Sequence, residues 1–313
     1  FRSPDRPGEG YPFDYFQNSA VWTGTPLLVT HRSADGAWFF AEAGFAYGWL
    51  PAEDIGWAGK QFLASYETGL YAAILADEVT LPDETGRFLT RAHIGAIFPA
   101  EAGSDQSLSL LVPARDADGE AVIRRARVAG HLAELKPLPL TPAGLARIAN
   151  SMLGQPYGWG GLLENRDCSA TLRDLFTPFG LWLPRNSRAQ ATSNGTLLDL
   201  ADMQPERKRS ILLEEGIPFY TLVWLPGHIG LYLGPDAASG EPLLLHNLWG
   251  VRTFSWTGRE GRALVGRLAV TSLHPGEERR DVPGNNFYRR VLGISVLPGV
   301  VREPSAPMPV PQL

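Results

Sequence analysis

Apolar and polar positions alternate strictly along residues 228–234: Ile229, Leu231 and Leu233 fall on one face, His228, Gly230 and Tyr232 on the other. A period of two predicts a strand, with His228 facing away from the apolar layer. Pro235 to Pro242 carries turn residues, including Ser239-Gly240, and Leu243 to His246 reads as the returning strand, which brings His246 near His228. Another strand is predicted over 264–272, and Pro218 to Leu233 reads as a strand pair or one long strand interrupted at Pro226-Gly227. Upstream the period lengthens. Leu145, Ile148, Ala149 and Met152 share one face of a helix that Thr141 caps and Pro142 opens. Leu172, Leu175 and Phe176 share a face of a second helix, capped by Asp167 and closed by Pro178 and Gly180. Residues 187–216 read as helical or irregular. Helices followed by an antiparallel sheet are the order of an α+β domain, predicted over residues 138–275.

The N-terminal half is built from shorter pieces. Pro26 to Thr30, Trp38 to Phe40 and Tyr47 to Pro51 read as strands, with Asp35-Gly36 as a turn, and suggest a small β-barrel over 21–66. A second barrel is predicted over 67–137 from Leu70 to Leu75, Phe88 to His93, Ala96 to Phe98, Leu108 to Val112 and Ala121 to Arg127, with turns at Gly86, Gly103 and Asp118-Gly119. The Asp-Gly-x-Trp and Gly-Trp-Leu pieces of the first barrel resemble bacterial SH3-like modules. Leu135 to Leu140 reads as a stiff proline-containing linker. Residues 1–20 are read as an extended clip and residues 276–313 as an extended, proline-rich tail. Because the chain starts at Phe1, a processed or trimmed product is expected.

Composition narrows the function classes. Of 313 residues, 44% are hydrophobic and 19% charged, with a formal net charge of −5. Arg207-Lys208-Arg209 is the one concentrated basic tract, and it reads as a solvated helix end rather than a nucleic-acid surface. No apolar run is long enough to cross a bilayer. His31, His93, His131 and His274 lack neighbours at metal-ligand spacing and read as ordinary surface or strand residues, so no metal or cofactor is expected.

Cys168 is the only cysteine, so it has no intramolecular disulfide partner. Lone cysteines are most often small buried hydrophobes. This one falls in the first turn of a helix, where free N–H groups and the helix dipole favour the thiolate. With His228 and His246 downstream, the chain holds the parts of a thiol nucleophile, a base and an orienter.

Tyr157 to Gly161, Asp167-Cys168-Ser169, Pro184-Arg185-Asn186, the strand from His228 to Gly234 and the later His246 occur in order over residues 141–275. Together they resemble the NlpC-type cysteine peptidases of bacterial cell-wall remodelling, a papain-like family. Ala170 stands where that family usually has glycine, and Asn186 where it often has aspartate. The resemblance implies a papain-like catalytic domain after two SH3-like barrels, with Cys168 as nucleophile, His228 as base and His246 as the orienting residue. It implies an oxyanion or substrate-binding group of Tyr157, Asp167, Ser169 and Asn186, and peptidoglycan stem peptides as partner, cut between γ-D-glutamate and the diamino acid. It also implies export to the periplasm or cell envelope; a monomer is expected. An amidase or acyltransferase on the same frame, or a catalytically silent wall-binding protein, are the alternatives. Glu42, Tyr47 and Trp49 of the first barrel are the expected gate at one end of the groove, admitting only stems already freed from glycan.

Overall fold

The computed structural model describes residues 10–11, 13–102, 107–193, 195–284 and 286–300. The remainder of the expected clip and tail, and the turn at Gly103, lie outside the described residues.

The first module is a meander of β1 (Leu28–Arg32), β2 (Trp38–Glu42) and β3 (Tyr47–Pro51). It buries little: Ala41 and Ala43 are enclosed, while Trp38, Tyr47 and Trp49 stand 45%, 67% and 51% exposed, so these aromatics are surface rather than core. A short helix unforeseen in the sequence, α1 (Lys60–Tyr66), leads to the second module.

There β4 (Tyr71–Ile74), the hairpin β5 (Val79–Pro82) and β6 (Phe88–Ala92), β7 (Ile97–Ala102), β8 (Ser107–Arg115), β9 (Ala121–Ala129) and β10 (Ala133–Leu135) follow one another. The main sheet runs β10-β4-β7-β8-β9, around Ile74, Leu81, Phe98, Leu110 and Val112. The expected linker therefore begins inside this sheet: Leu135 pairs with Ala72, and the Lys136 N–H still donates to Tyr71 at 2.9 Å. Pairing ends at Pro137, which has no N–H to offer.

The third module starts with α2 (Pro142–Met152), α3 (Cys168–Phe176) and α4 (Ser187–Ser193), then β11 (Thr196–Asp199), α5 (Pro205–Glu215), β12 (Thr221–Leu225), β13 (His228–Pro235), β14 (Pro242–Phe254) and β15 (Glu260–Ser272). Pro226-Gly227 turns β12 back onto β13, so the strand-pair reading holds. The region predicted as an extended tail folds in part: α6 (Asn286–Arg290) and β16 (Gly293–Val296) return, and β16 lies between β11 and β12 in a six-stranded sheet ordered β11-β16-β12-β13-β14-β15. Phe287, Val291 and Ile294 are almost fully buried, an apolar gain that holds this segment in place.

That sheet is covered on both faces. Ile229, Leu231 and Leu245 pack with α2 and α3 residues, and Tyr232, Leu244 and Val223 pack with α5 and α6 residues. Alternation along β13 holds, with Ile229 and Leu231 on one face and His228 and Tyr232 on the other, but the second face is covered as well: Tyr232 is 1% exposed because α5 and α6 pack on it.

Arg166 fastens the second and third modules together. At 4% exposure it donates to Asp174 at 2.6 Å, to both Asp77 oxygens at 2.8 and 2.9 Å and to the Ile94 carbonyl at 2.8 Å. His93, expected as an ordinary surface or strand residue, is instead buried at this junction. It stacks on Trp22 at 4.6 Å and lies 3.5 Å from Asp77.

Candidate active site

Cys168 opens α3 because Asp167 takes the cap: its carboxylate accepts from the Ala170 N–H at 2.9 Å. Arg185 grips the same carboxylate with bonds of 2.6 and 3.0 Å and donates to the Ser169 hydroxyl at 3.0 Å. Burial alone would favour the neutral acid. The Arg185 guanidinium, the Ala170 N–H and the Ser169 hydroxyl outweigh it and hold the Asp167 carboxyl below the usual carboxylate range.

The thiol does not behave as its place on the helix predicts. Cys168 is 6% exposed and belongs to the apolar cluster that includes Ile229, Leu231 and Leu245. Burial first, and the Asp167 charge second, push its pKa up to about 12; the Ile229 N–H, Arg185 and the Ser169 N–H offset only part. The expectation of a ready thiolate is thus corrected, because loss of solvation outweighs the helix terminus.

His228 begins β13 directly after the Pro226-Gly227 turn. Its Nε2 lies 2.9 Å from His246 Nδ1, and His246 Nε2 lies 3.0 Å from the Thr271 hydroxyl on β15. Gly230 leaves room for this pair: a Cβ there would approach the His246 Cβ to 3.1 Å. Phe287 of α6 packs edge-on against both rings, with centroids 6.1 and 5.8 Å away. Burial lowers the His228 pKa well below its ordinary value, with His246 and Arg290 adding to the effect, and burial takes His246 down to about 4. Both imidazoles are therefore neutral at neutral pH. The sulfur meets this strand at the peptide joining His228 to Ile229, whose N–H acts on the thiol. Among the described residues no hydrogen bond joins Cys168 to His228.

The other expected site residues take varied places. Tyr157 is half-buried in an aromatic group with Phe13 and Trp249, at 6.2 and 5.7 Å. Its stretch is lashed beside the cap by the Gly158 N–H, which donates to the Arg166 carbonyl at 2.9 Å. Gly160 adopts φ 60° under the N-terminal segment, where a Cβ would run into the Gln17 carbonyl. Ser169, expected to line the groove, is 4% exposed and its hydroxyl is committed to Asp167 and Arg185. Asn186 is exposed and caps α4, accepting from the Ala189 N–H at 2.9 Å. Glu42 and Tyr47 are cross-strand partners flanking the turn between β2 and β3. That turn touches the third module: Trp182 Nε1 donates to the Gly44 carbonyl at 3.2 Å, and the Arg173 guanidinium lies 4.0 Å over the Phe45 ring.

Sequence reasoning did not single out Arg185, Arg166 or Thr271. Arg185 stood in a quoted motif. Thr271 had no signal, since one threonine in a strand is unremarked until its neighbours are known.

A model described as the NlpC/P60 family matches residues 154–257, one described as an SH3 domain of SH3b1 type matches residues 1–51, and one of SH3b2 type matches residues 60–102. A probable endopeptidase of Corynebacterium glutamicum is 30% identical over 122 residues, covering 37% of this chain and 53% of that protein. The chain spans about half the length of the curated relatives it matches. The solved structure of an NlpC/P60 endopeptidase from Photobacterium damselae subsp. piscicida superposes with a TM-score of 0.82 at 30% identity, covering 93% of this chain and 67% of that one. An NlpC/P60 family protein from Bacillus cereus shares the fold, with a TM-score of 0.62 at 15% identity over 89% of this chain and 81% of its own. A likeness that runs through all three modules and includes the Cys168 helix places the chain in the NlpC/P60 family, its NlpC/P60 domain preceded by two SH3b-type domains.

Proposed function

We propose that this chain is a cysteine endopeptidase acting outside the cytoplasm on peptidoglycan stem peptides, cutting between γ-D-glutamate and the diamino acid. The observation that carries the reading is the His228–His246 pair, 2.9 Å apart across β13 and β14, with the N–H of Ile229, next in the chain to His228, acting on the Cys168 sulfur. Cys168 is the nucleophile. Thiol and imidazole both start neutral, so the sulfur proton passes to His228 Nδ1 as the C–S bond forms. The Cys168 N–H and the Tyr157 hydroxyl receive the developing oxyanion. His228 returns the proton to the leaving amine as the C–N bond breaks. Water then attacks the thioester as His228 Nδ1 takes one of its protons, the C–S bond breaks to release the carboxyl product, and that proton returns to sulfur to restore the thiol. Catalytic hydrogen bonds are often long in a free enzyme and tighten around substrate, so an unbonded thiol and imidazole fit this role.

Purified protein incubated with a free stem tripeptide tests it. Cys168→Ala and Cys168→Ser should each bring turnover to background with unchanged circular dichroism, and His228→Ala should lower it about a hundredfold or more. Near wild-type turnover in either cysteine variant would sink the mechanism. Because the thiol pKa stands near 12, alkylation of Cys168 by iodoacetamide without substrate should keep accelerating into the alkaline range. A plateau below pH 7 would show a preformed thiolate instead.

A further inference from the structure

We infer that Thr271 is a positioning residue for the thiol–imidazole chemistry proposed above, its hydroxyl setting the tautomer of both histidines so that His228 Nδ1 is left free to accept a proton. The inference rests on that functional reading, but its first readout does not require substrate. Thr271 Oγ1 lies 2.7 Å from the Ser272 carbonyl, which can only accept, so the single hydroxyl proton goes there. Toward His246 Nε2, 3.0 Å away, the same oxygen must then accept. His246 is neutral and 1% exposed, so it carries its one proton on Nε2 and presents Nδ1 as an acceptor. That Nδ1 lies 2.9 Å from His228 Nε2, which must therefore donate, and neutral His228 is left with an unprotonated Nδ1. If the hydroxyl pointed the other way, each proton in the row would reverse and His228 Nδ1 would carry the hydrogen, unable to take one from sulfur. Register supports the contact: Thr271 sits on β15 two residues from Ala269, the cross-strand partner of His246, and so shares its face of the sheet.

The full chain with 15N-labelled histidine rings tests this by long-range 1H–15N correlation at neutral pH. Wild type should show Nε2 protonated and Nδ1 unprotonated in both His228 and His246. Thr271→Val, which removes the acceptor, should mix or invert that pattern and lower kcat about ten- to a hundredfold with little change in KM. Thr271→Ser should restore the wild-type pattern and most of the rate. An Nδ1-protonated His246 in wild type overturns the inference, as does Thr271→Val with wild-type ring signals and kcat. Should Thr271→Val not fold, the wild-type pattern and Thr271→Ser still decide. Failure of the functional reading appears separately, as turnover that survives His228→Ala whatever the tautomers are.

Discussion

Buried without an ionic partner, His246 makes stability depend on pH. Its folded pKa is near 4, against an ordinary 6.5. Between those values the unfolded chain binds a proton that the folded chain does not, so stability rises with pH across the window. The contribution is complete above about 6.5 and is lost as pH falls toward 4; the depression corresponds to roughly 3 kcal/mol. His228, lowered for the same reason, acts in the same direction. Urea unfolding followed from pH 7 to 4 should show this slope, and His246→Gln should make it shallower. An unchanged slope in that variant would mean that other groups carry the acid sensitivity.

At the level of elements, the site is an assembly of ends: the start of α3, the start of β13, and the segment entering α4. The two helix starts bring backbone N–H groups that need partners, and the sequence supplies them at Asp167 and Asn186. Asn186 therefore has a structural reason to be present, whatever it offers a substrate. Asn186→Asp keeps an oxygen for the Ala189 N–H and so should leave the melting temperature nearly unchanged. The new carboxylate is exposed. If this position faces the free amine of the stem peptide, KM for peptides with a free N-terminus should fall in Asn186→Asp and remain constant for N-acetylated ones. Equal KM changes for both peptides would remove Asn186 from amine recognition.

Across the whole molecule, the modules are tied through groups near Cys168 rather than through flexible connections. Arg166, two residues before Cys168, is held by Asp77 of the second module and Asp174 of α3. Arg166→Met would take from Asp77 its guanidinium partner and leave Asp174 with Arg173 alone, and should cost about 3–5 kcal/mol. Chemical denaturation would reveal it; a loss below 1 kcal/mol would mean water replaces the clamp. The first module touches the third through Gly44 and Phe45, with Glu42 and Tyr47 at the edges of the same turn. This contact supports the proposed gate, in which the module walls off one end of the groove. The protein should then cleave free stem peptides and spare stems still on glycan, and Tyr47→Ala with Glu42→Gln should weaken that preference. Equal cleavage of free tripeptide and polymeric wall by the unmodified protein would refute the gate and leave Cys168 and His228 untouched.

The sequence by itself determined what depends on near neighbours. The caps at Thr141 and Asp167, the apolar faces of α2 and α3, the turn at Pro226-Gly227 and the alternation along β13 are all local, and each stands where its spacing predicts. The ordered motifs from Tyr157 to His246 also carried the family, because order and spacing are properties of the chain. Tertiary structure decided what depends on distant partners. β16 joins the sheet between β11 and β12, over 60 residues away from β12, through pairing that a four-residue strand with two apolar side chains could not announce. The thiol pKa turned on how deeply α3 is buried, and desolvation is set by everything packed around a group rather than by its place on a helix. The hydrogen-bonded row from Thr271 through His246 to His228 exists only because three strands lie side by side, and no period within any one of them records which hydroxyl will face which ring.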